Sequence, residues 1–247
     1  MSGHSKWSTI KRKKGAADAK RGAVFTRISK DITLAAREGG EEPDMNPALR
    51  LAIKNAKTAN MPAANIERAI NKGTGNLPGI KFENYVYEGY GPGGTAIMME
   101  VMTDNKNRTV PDIRHIMSKN GGNLGEQGCV NWMFEKKGTI TVSKDGIDED
   151  SILEMSLDLG ADDFQSENDV FIIITTSEDF GVVSKGLEDG GYEINGEVGL
   201  VPINIVKISG TDAKQLLSLL EKLEEHEDIQ KVYSNFDLDE SEMESLL

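Results

Sequence analysis

The sequence predicts an α+β protein in which a three-helix bundle precedes two split-βαβ domains, one of them inserted in the other. Three observations support this prediction. Residues 1–75 carry 15 Lys and Arg against 7 Asp and Glu, whereas the rest of the chain carries 13 against 34. Apolar residues recur with a helical period up to the glycine-rich segment 73–79 and with a strand period after it. From residue 138 to about 196, the predicted elements follow the order β-α-β-β-α-β.

The first part of the chain is predicted to hold three amphipathic helices with short links. The first helix begins near Ala16 and ends at Gly39, where glycine favours a helix stop. The second helix covers residues 46–59. The third has Pro62 in its first turn, where the missing N–H costs nothing, and ends at Gly73.

The cations of this part are predicted to bind nucleic acid. Residues 3–15 have no helical or strand period, and their charges repel one another until they meet an anion. The alternative is a solvated basic tail without a ligand. Arg50, Lys54 and Lys57 are spaced i, i+4 and i+7, so they form one basic stripe on the second helix. The predicted nucleic-acid-binding residues are Lys6, Lys11, Arg12, Lys13, Lys14, Lys20, Arg21, Arg27, Arg50, Lys54 and Lys57.

The remainder of the chain is acidic and alternates strands with helices. Strands at 82–87 and 95–102 flank a glycine turn, and a capping box at Thr109 opens the helix that follows. Further strands are predicted at Cys129–Phe134 and 139–143, and then near 192–194, 202–208 and 229–233. The predicted domains are residues 1–77, a ferredoxin-like (split βαβ) domain of 78–137 plus 200–238, an inserted domain of the same type at 138–199, and an acidic tail at 239–247.

Residue types that carry chemistry are sparse. Cys129 is the single cysteine and the three histidines are scattered, so no disulfide, metal site or cofactor is predicted. The turn at 89–94 is not a phosphate loop, because Pro92 interrupts it and a strand follows. No G-x-S-x-G nucleophile motif occurs. We therefore predict that the protein is not an enzyme.

The apolar segments are too short for a membrane protein. The longest, residues 170–174, is far below the ~20 residues that cross a bilayer. No apolar segment of signal-peptide type follows the basic N-terminus. A cytoplasmic location without a membrane partner is expected.

Long, ordered motifs occupy residues 3–138, and they resemble those of the YebC/PmpR family. The motifs are Gly3-His4-Ser5-Lys6-Trp7, Asn60-Met61-Pro62, Asn65-Ile66-Glu67-Arg68-Ala69-Ile70, Tyr87-Glu88-Gly89-Tyr90-Gly91-Pro92-Gly93-Gly94, Thr103-Asp104-Asn105-Lys106-Asn107-Arg108-Thr109, Gly121-Gly122-Asn123-Leu124-Gly125 and Phe134-Glu135-Lys136-Lys137-Gly138.

The resemblance implies a three-domain α+β protein of bacteria and organelles, described as a probable transcriptional regulator that binds DNA. Some relatives in that family resemble translation factors, including mitochondrial translational activators and factors that act on ribosomes stalled at proline-rich nascent chains. The family has no known catalytic residues. Within its motifs, Tyr87, Tyr90, Asn107 and Arg108 are candidates for contact with a partner.

Three classes of function remain open. A transcriptional regulator would contact duplex DNA through the basic module, but no helix carries a cluster of base-reading side chains at its N-terminal end. A ribosome-associated translation factor would bind rRNA by shape and backbone. A protein of the third class would bind a protein partner through its acidic domains, and its basic segment would be incidental. We predict a non-enzymatic nucleic-acid-binding transcriptional regulator, with the ribosome-binding factor as the alternative.

Overall fold

The computed structural model of the chain describes residues 21–76, 82–167 and 169–239. Contacts divide these residues into two compact units. The inserted unit is residues 132–205, and the outer unit joins the described residues before 132 with those from 206 onward. None of the helices among the described residues is both long and apolar enough to span a membrane.

Seven helices and ten strands are assigned within the described residues. The helices are α1 (Arg21–Gly39), α2 (Pro47–Thr58), α3 (Ala63–Thr74), α4 (Lys106–Lys119), α5 (Glu149–Asp158), α6 (Phe180–Asp189) and α7 (Gly210–Glu225). The strands are β1 (Glu83–Tyr90), β2 (Ala96–Thr103), β3 (Asn123–Leu124), β4 (Phe134–Ser143), β5 (Asp163–Ser166), β6 (Val170–Thr176), β7 (Ile194–Pro202), β8 (Val206–Lys207), β9 (Ile229–Ser234) and β10 (Phe236–Asp237). Helices combined with largely antiparallel sheets confirm the predicted α+β class.

Helices α1, α2 and α3 pack into the small bundle that the helical period predicts. Ile32 and Leu49 are fully buried in its core. The buried side chain of Asn46 caps α2 by accepting a hydrogen bond from the Leu49 N–H. The Asn46 amide also donates to the carbonyls of Ala35 and Gly40, at 2.8 and 2.9 Å. One side chain therefore joins the end of α1 to the start of α2.

The outer unit also contains a four-stranded sheet with the strand order β3-β1-β2-β9. Helices α4 and α7 bury their apolar sides against one face of this sheet, where Ile97, Met99, Ile113, Leu216 and Leu220 form the core. Along the chain the order is β-β-α-β before the inserted unit and α-β after strand β8. This part therefore begins with a hairpin, unlike the β-α-β-β-α-β order of the inserted unit.

The inserted unit is an antiparallel sheet with the strand order β5-β6-β4-β7. Its elements follow the chain order β4-α5-β5-β6-α6-β7, which is the predicted split-βαβ order. Ile140, Ile152, Ile173 and Leu187 are fully buried in its core. Because alternate residues of a strand face opposite sides, this core lies on the helix-covered face.

The predicted strand Cys129–Phe134 is wrong. Cys129 lies in a loop, a short 3₁₀ turn covers Asn131–Met133, and β4 begins only at Phe134. The physical reason is Glu88, whose carboxylate accepts hydrogen bonds from three backbone N–H groups of this loop. The donors are Gly128, Val130 and Asn131, at 2.7, 2.8 and 2.9 Å. The loop backbone is thus satisfied by one side chain instead of by a neighbouring strand.

Two further boundaries differ from the prediction. Helix α4 starts at Lys106 and not at Thr109, because the Asn105 side chain caps it by accepting from the Arg108 N–H. Strand β7 runs over Ile194–Pro202, where the prediction placed one strand ending at 194 and another starting at 202. β7 pairs with β4 along its whole length, and this pairing stabilises a continuous strand that the glycine-containing sequence does not predict.

Candidate nucleic-acid interface

Helix α2 presents the predicted basic stripe to solvent. Its core side holds Leu49, and Arg50, Lys54 and Lys57 are all exposed. At about 100° per residue these three positions lie within roughly 60° of one another around the helix axis. Among the residues that the structure describes, none forms an ion pair with these side chains. The stripe is therefore a set of uncompensated positive charges on a rigid element.

The other predicted cations are only partly covered by the structure. Arg27 is exposed on α1. Arg21 belongs to α1, but its side chain is outside the described part of the chain. The cations of the N-terminal segment also lie outside the described residues, namely Lys6, Lys11, Arg12, Lys13, Lys14 and Lys20. Their part in binding stays a prediction.

Three cations of the bundle face the sheet part of the outer unit, and they were not among the residues predicted to be functional. Lys30 donates a hydrogen bond to the carbonyl of Glu224. Arg37 reaches the side-chain oxygen of Asn84 at 3.4 Å. Lys72 donates to the carbonyl of Glu227 at 3.4 Å. These cations hold the bundle on the sheet part, and no periodicity in the sequence indicates that contact.

Asp228 is the centre of this contact, and its side chain is only 2% exposed. Its Oδ1 lies 3.7 Å from the Lys72 Nζ, and its Oδ2 lies 3.0 Å from the Arg108 guanidinium. The hydroxyls of Thr109 and Thr103 donate to Oδ2 at 2.7 and 3.2 Å. Three hydrogen-bond donors and the ion-paired Lys72, from three elements, therefore converge on one carboxylate, which is a strong arrangement because charged hydrogen bonds exceed neutral ones.

The pKa values in this cluster follow from burial, from the hydrogen bonds to Asp228 and from the neighbouring charges. Burial alone would raise the pKa of Asp228, but the hydrogen bonds from Thr109 and Arg108 and the charge of Lys72 lower it below its ordinary value. Burial lowers the pKa of Lys72, and the charge of Asp228 partly opposes this. Burial likewise lowers the pKa of His226, whose Nδ1 accepts from the Asp228 N–H. The hydrogen bond to Asp228 in turn raises the pKa of Arg108, so the two groups stabilise each other's charged forms.

The four candidate partner-contact residues have different surroundings. The Tyr90 hydroxyl donates to the carbonyl of Cys129 at 3.0 Å. Tyr87 stacks on Tyr85, with ring centres 6.0 Å apart, and burial raises the pKa of its hydroxyl. Asn107 is exposed in the first turn of α4. Arg108 is held by Asp228 and also lies 3.1 Å from Asp104, so much of its charge is compensated internally.

The described residues contain no group of three or more His, Cys, Asp or Glu side chains placed to hold a metal ion. The buried carboxylate of Glu88 is satisfied by the loop at 128–131 and is not directed into a cleft. Burial is also the main cause that raises the pKa of the Cys129 thiol, with the charge of Glu88 adding to it. A thiol with a raised pKa is a poor nucleophile at neutral pH.

The fold and the candidate interface define the class of protein. It is an α+β protein of more than one compact unit, with a stripe of exposed cations that lack ion-pair partners among the described residues on one helix of a small bundle. The chain belongs to the TACO1/YebC family. The family's N-terminal domain matches residues 5–76, and its second and third domains match residues 82–236. This confirms the resemblance inferred from the motifs.

Full-length relatives share one description. A "Probable transcriptional regulatory protein" of Dictyoglomus turgidum is 52% identical and covers 100% of both chains. A protein of the same description from Desulforapulum autotrophicum is 54% identical over 96% of this chain and 97% of its own. Among solved structures, the conserved hypothetical protein Aq1575 of Aquifex aeolicus is 45% identical, with a TM-score of 0.73 over 90% of this chain and 93% of that chain.

Proposed function

We propose that this protein is a non-enzymatic, cytoplasmic transcriptional regulator that binds DNA through its basic helical module. The observation that carries the proposal is the exposed stripe of Arg50, Lys54 and Lys57, which no described acidic side chain neutralises. Phosphate groups are the natural ligands for such a stripe, because binding them releases condensed counterions. The names of the full-length relatives support the regulatory role.

The charge of the inserted unit supports an assignment of nucleic-acid contact to the bundle alone. Residues 132–205 carry 4 Lys and Arg against 17 Asp and Glu. Such a surface repels a phosphate backbone within the screening length of about 8 Å at physiological salt. The inserted unit would therefore stay away from nucleic acid, and it remains a candidate surface for a protein partner.

A ribosome-associated translation factor is the second candidate, and one observation favours it. The first three residues of α2, Pro47-Ala48-Leu49, carry no side chain that reads base edges. Arg50 follows as the fourth residue, and its stripe with Lys54 and Lys57 suits contact with a phosphate backbone. Structured RNA is recognised mainly through shape and backbone, so rRNA is a ligand that such a stripe could bind without base readout.

Co-sedimentation with ribosomes in the presence of excess duplex DNA separates the two candidates. Loss of the protein to the DNA, with a preference for one promoter over random duplex, would support the transcriptional regulator. Retention on ribosomes would support the translation factor instead. Failure to bind either polyanion at physiological salt would refute both candidates.

A charge-removal variant tests whether the α2 stripe is the binding surface. Replacing Arg50, Lys54 and Lys57 with Gln should lower the salt slope of log K on duplex DNA by about 2.7, at about 0.9 per phosphate contact. The matched control replaces three exposed cations of other helices, Arg114, Lys119 and Lys214, with Gln. The control should keep the wild-type slope, and equal slopes for all three proteins would remove α2 from the interface.

A further inference from the structure

One edge of the sheet in the outer unit is open along most of its length. Strand β1 pairs with β2 over all eight of its residues, but on its other side it pairs with β3 only at Gly89 and Tyr90. The adjoining Glu88 carbonyl accepts from the Gly125 N–H at 2.8 Å. Residues 84–87 have no strand partner on this side among the described residues.

The direction of the free backbone groups follows from strand alternation. The Glu88 carbonyl points away from β2, and successive residues of a strand alternate in the side to which their N–H and C=O point. Val86 and Asn84 therefore direct their N–H and C=O groups outward. Two residues thus offer four unpaired backbone groups in one row.

Three other edge strands, β5, β7 and β9, carry features that hinder strand addition. Strand β5 is four residues long. Strand β7 has Glu197 near its middle, glycines on either side and Pro202 at its end. Strand β9 carries Lys231 and pairs with β2 across a bulge. In contrast, β1 has no proline, glycine or bulge from Glu83 to Glu88, and Val86 is 52% exposed.

The side chains beside this edge are arranged by charge. On one face of the sheet, Arg37 reaches Asn84, and on the other the Lys106 Nζ lies 5.0 Å from the centre of the Tyr85 ring. A cation therefore flanks each face at the Asn84–Tyr85 end. At the next two positions the neighbours are apolar or aromatic, Val86 on one face and Tyr87 on the other.

The carboxylates near this edge already have donors. Glu83 accepts a hydrogen bond from the Tyr85 hydroxyl. Glu100 accepts from the Tyr233 hydroxyl at 3.3 Å and lies opposite Lys231 in the strand register. Arg37 and Lys106 are the cations nearest to Asn84 and Tyr85, one on each face, and Glu83 lies one residue further along the strand.

We propose that the β1 edge at residues 84–87 binds an extended segment of a partner protein as an added strand. The segment has an acidic side chain where it passes Asn84 and Tyr85 and an apolar side chain where it passes Val86 and Tyr87. Backbone hydrogen bonds to Asn84 and Val86 supply affinity, and the flanking side chains supply specificity. This inference is independent of nucleic-acid binding by α2.

The test uses a labelled synthetic peptide of sequence Asp-Asp-Val-Thr-Val-Asp-Asp, which is acidic at both ends so that either strand direction is allowed. Fluorescence anisotropy on the full-length protein should give saturable binding with a Kd of about 100 µM or tighter. An analogue with the same side chains but N-methyl groups on all three central amides should bind at least about tenfold more weakly, because neither of its edges can complete the backbone ladder. No saturable binding up to about 1 mM, or equal binding of the two peptides, would overturn the proposal.

Two further measurements localise the contact. Val86→Pro removes an outward N–H and should abolish peptide binding, whereas Ile205→Pro, at another exposed apolar residue in a loop, should leave it unchanged. Amide hydrogen exchange should be fast at Asn84 and Val86 in the free protein and slow when the peptide is bound. Slow exchange at both positions in the free protein would mean that another segment of the chain already pairs with the edge, which would refute the proposal.

Discussion

Removing the charge of Asp228 tests the role of the cluster that joins the helical bundle to the sheet part. The carboxylate is nearly inaccessible and accepts hydrogen bonds from Thr109, Thr103 and Arg108, with Lys72 at 3.7 Å. Asp228→Asn keeps the shape and one acceptor oxygen but leaves Lys72 without its ion-pair partner and Arg108 with the more exposed Asp104 and Glu227. Asp228→Ala also removes the acceptors of both threonine hydroxyls.

The expected magnitude follows from the exposure of each partner. Removing one member of a buried ion pair costs about 3–5 kcal/mol. The Lys72 side chain is 18% exposed and the Arg108 side chain is 44% exposed, so water screens part of the loss. We therefore expect Asp228→Ala to lower the free energy of unfolding by about 3 kcal/mol and Asp228→Asn by about 2 kcal/mol.

Urea unfolding followed by circular dichroism measures these differences, and Asp104→Asn is the matched control. Asp104 makes an exposed i,i+4 pair with the same Arg108, so its loss should cost at most about 0.5 kcal/mol. Equal effects of Asp104→Asn and Asp228→Asn would refute the argument that burial makes Asp228 important.

The difference in unfolding free energy between wild type and Asp228→Asn has a defined pH dependence. The pKa of Asp228 is lower in the folded protein than in the unfolded chain, so its contribution is fully present above the unfolded value of about 3.9. That contribution is lost as the pH falls through the lowered pKa of the folded state. The difference in unfolding free energy between wild type and Asp228→Asn should therefore be constant near neutral pH and should shrink as the pH falls below about 4. A gap that widens on acidification would contradict the assigned pKa direction.

Three further predictions concern the helical bundle and the arm, which is the basic N-terminal segment at residues 3–15. Asn46→Ala should cost about 2 kcal/mol in urea unfolding, because it removes the α2 cap and the amide that donates to the buried Ala35 carbonyl and the part-buried Gly40 carbonyl, whereas Asn55→Ala on the exposed side of α2 should cost little. Gly73→Val should lower the thermal midpoint, because a Cβ there would lie 2.4 Å from the Thr33 carbonyl oxygen; no loss relative to the control Gly75→Asn would contradict the close approach of α1 and α3. Replacing Lys11, Arg12, Lys13 and Lys14 with Ala should flatten the salt dependence of DNA binding by up to about 3.6 in slope, and an unchanged slope would remove the arm from the interface.

Elements with a strong internal period could be predicted from the sequence. The three bundle helices have apolar residues at helical spacing and end at glycine or before proline, so their limits depend on nearby residues only. The order of elements in the inserted unit was predictable for the same reason. The prediction of a strand at Cys129–Phe134 failed because of a distant residue. Glu88 lies some forty positions earlier in the chain, and its carboxylate accepts the backbone hydrogen bonds of the loop.

The candidate interface also has one feature that the sequence predicts and one that depends on the fold. The i, i+4, i+7 spacing of Arg50, Lys54 and Lys57 is a local property, and it placed these cations on one exposed side of α2. Whether a cation is free or compensated is not local. Lys30 and Lys72 look like other bundle cations in the sequence, yet both are held by the segment 224–228 of the outer unit.

The sequence by itself determined the fold class, the family, the sorting of charge between the bundle and the acidic remainder, and the basic stripe on α2. Only the tertiary structure decided that Arg108 is held by a buried aspartate and that the edge of β1 is left open. Period and charge pattern are set by residues close together in the chain. Ion pairing, burial and strand pairing depend instead on residues that are distant in sequence and meet only when the chain folds.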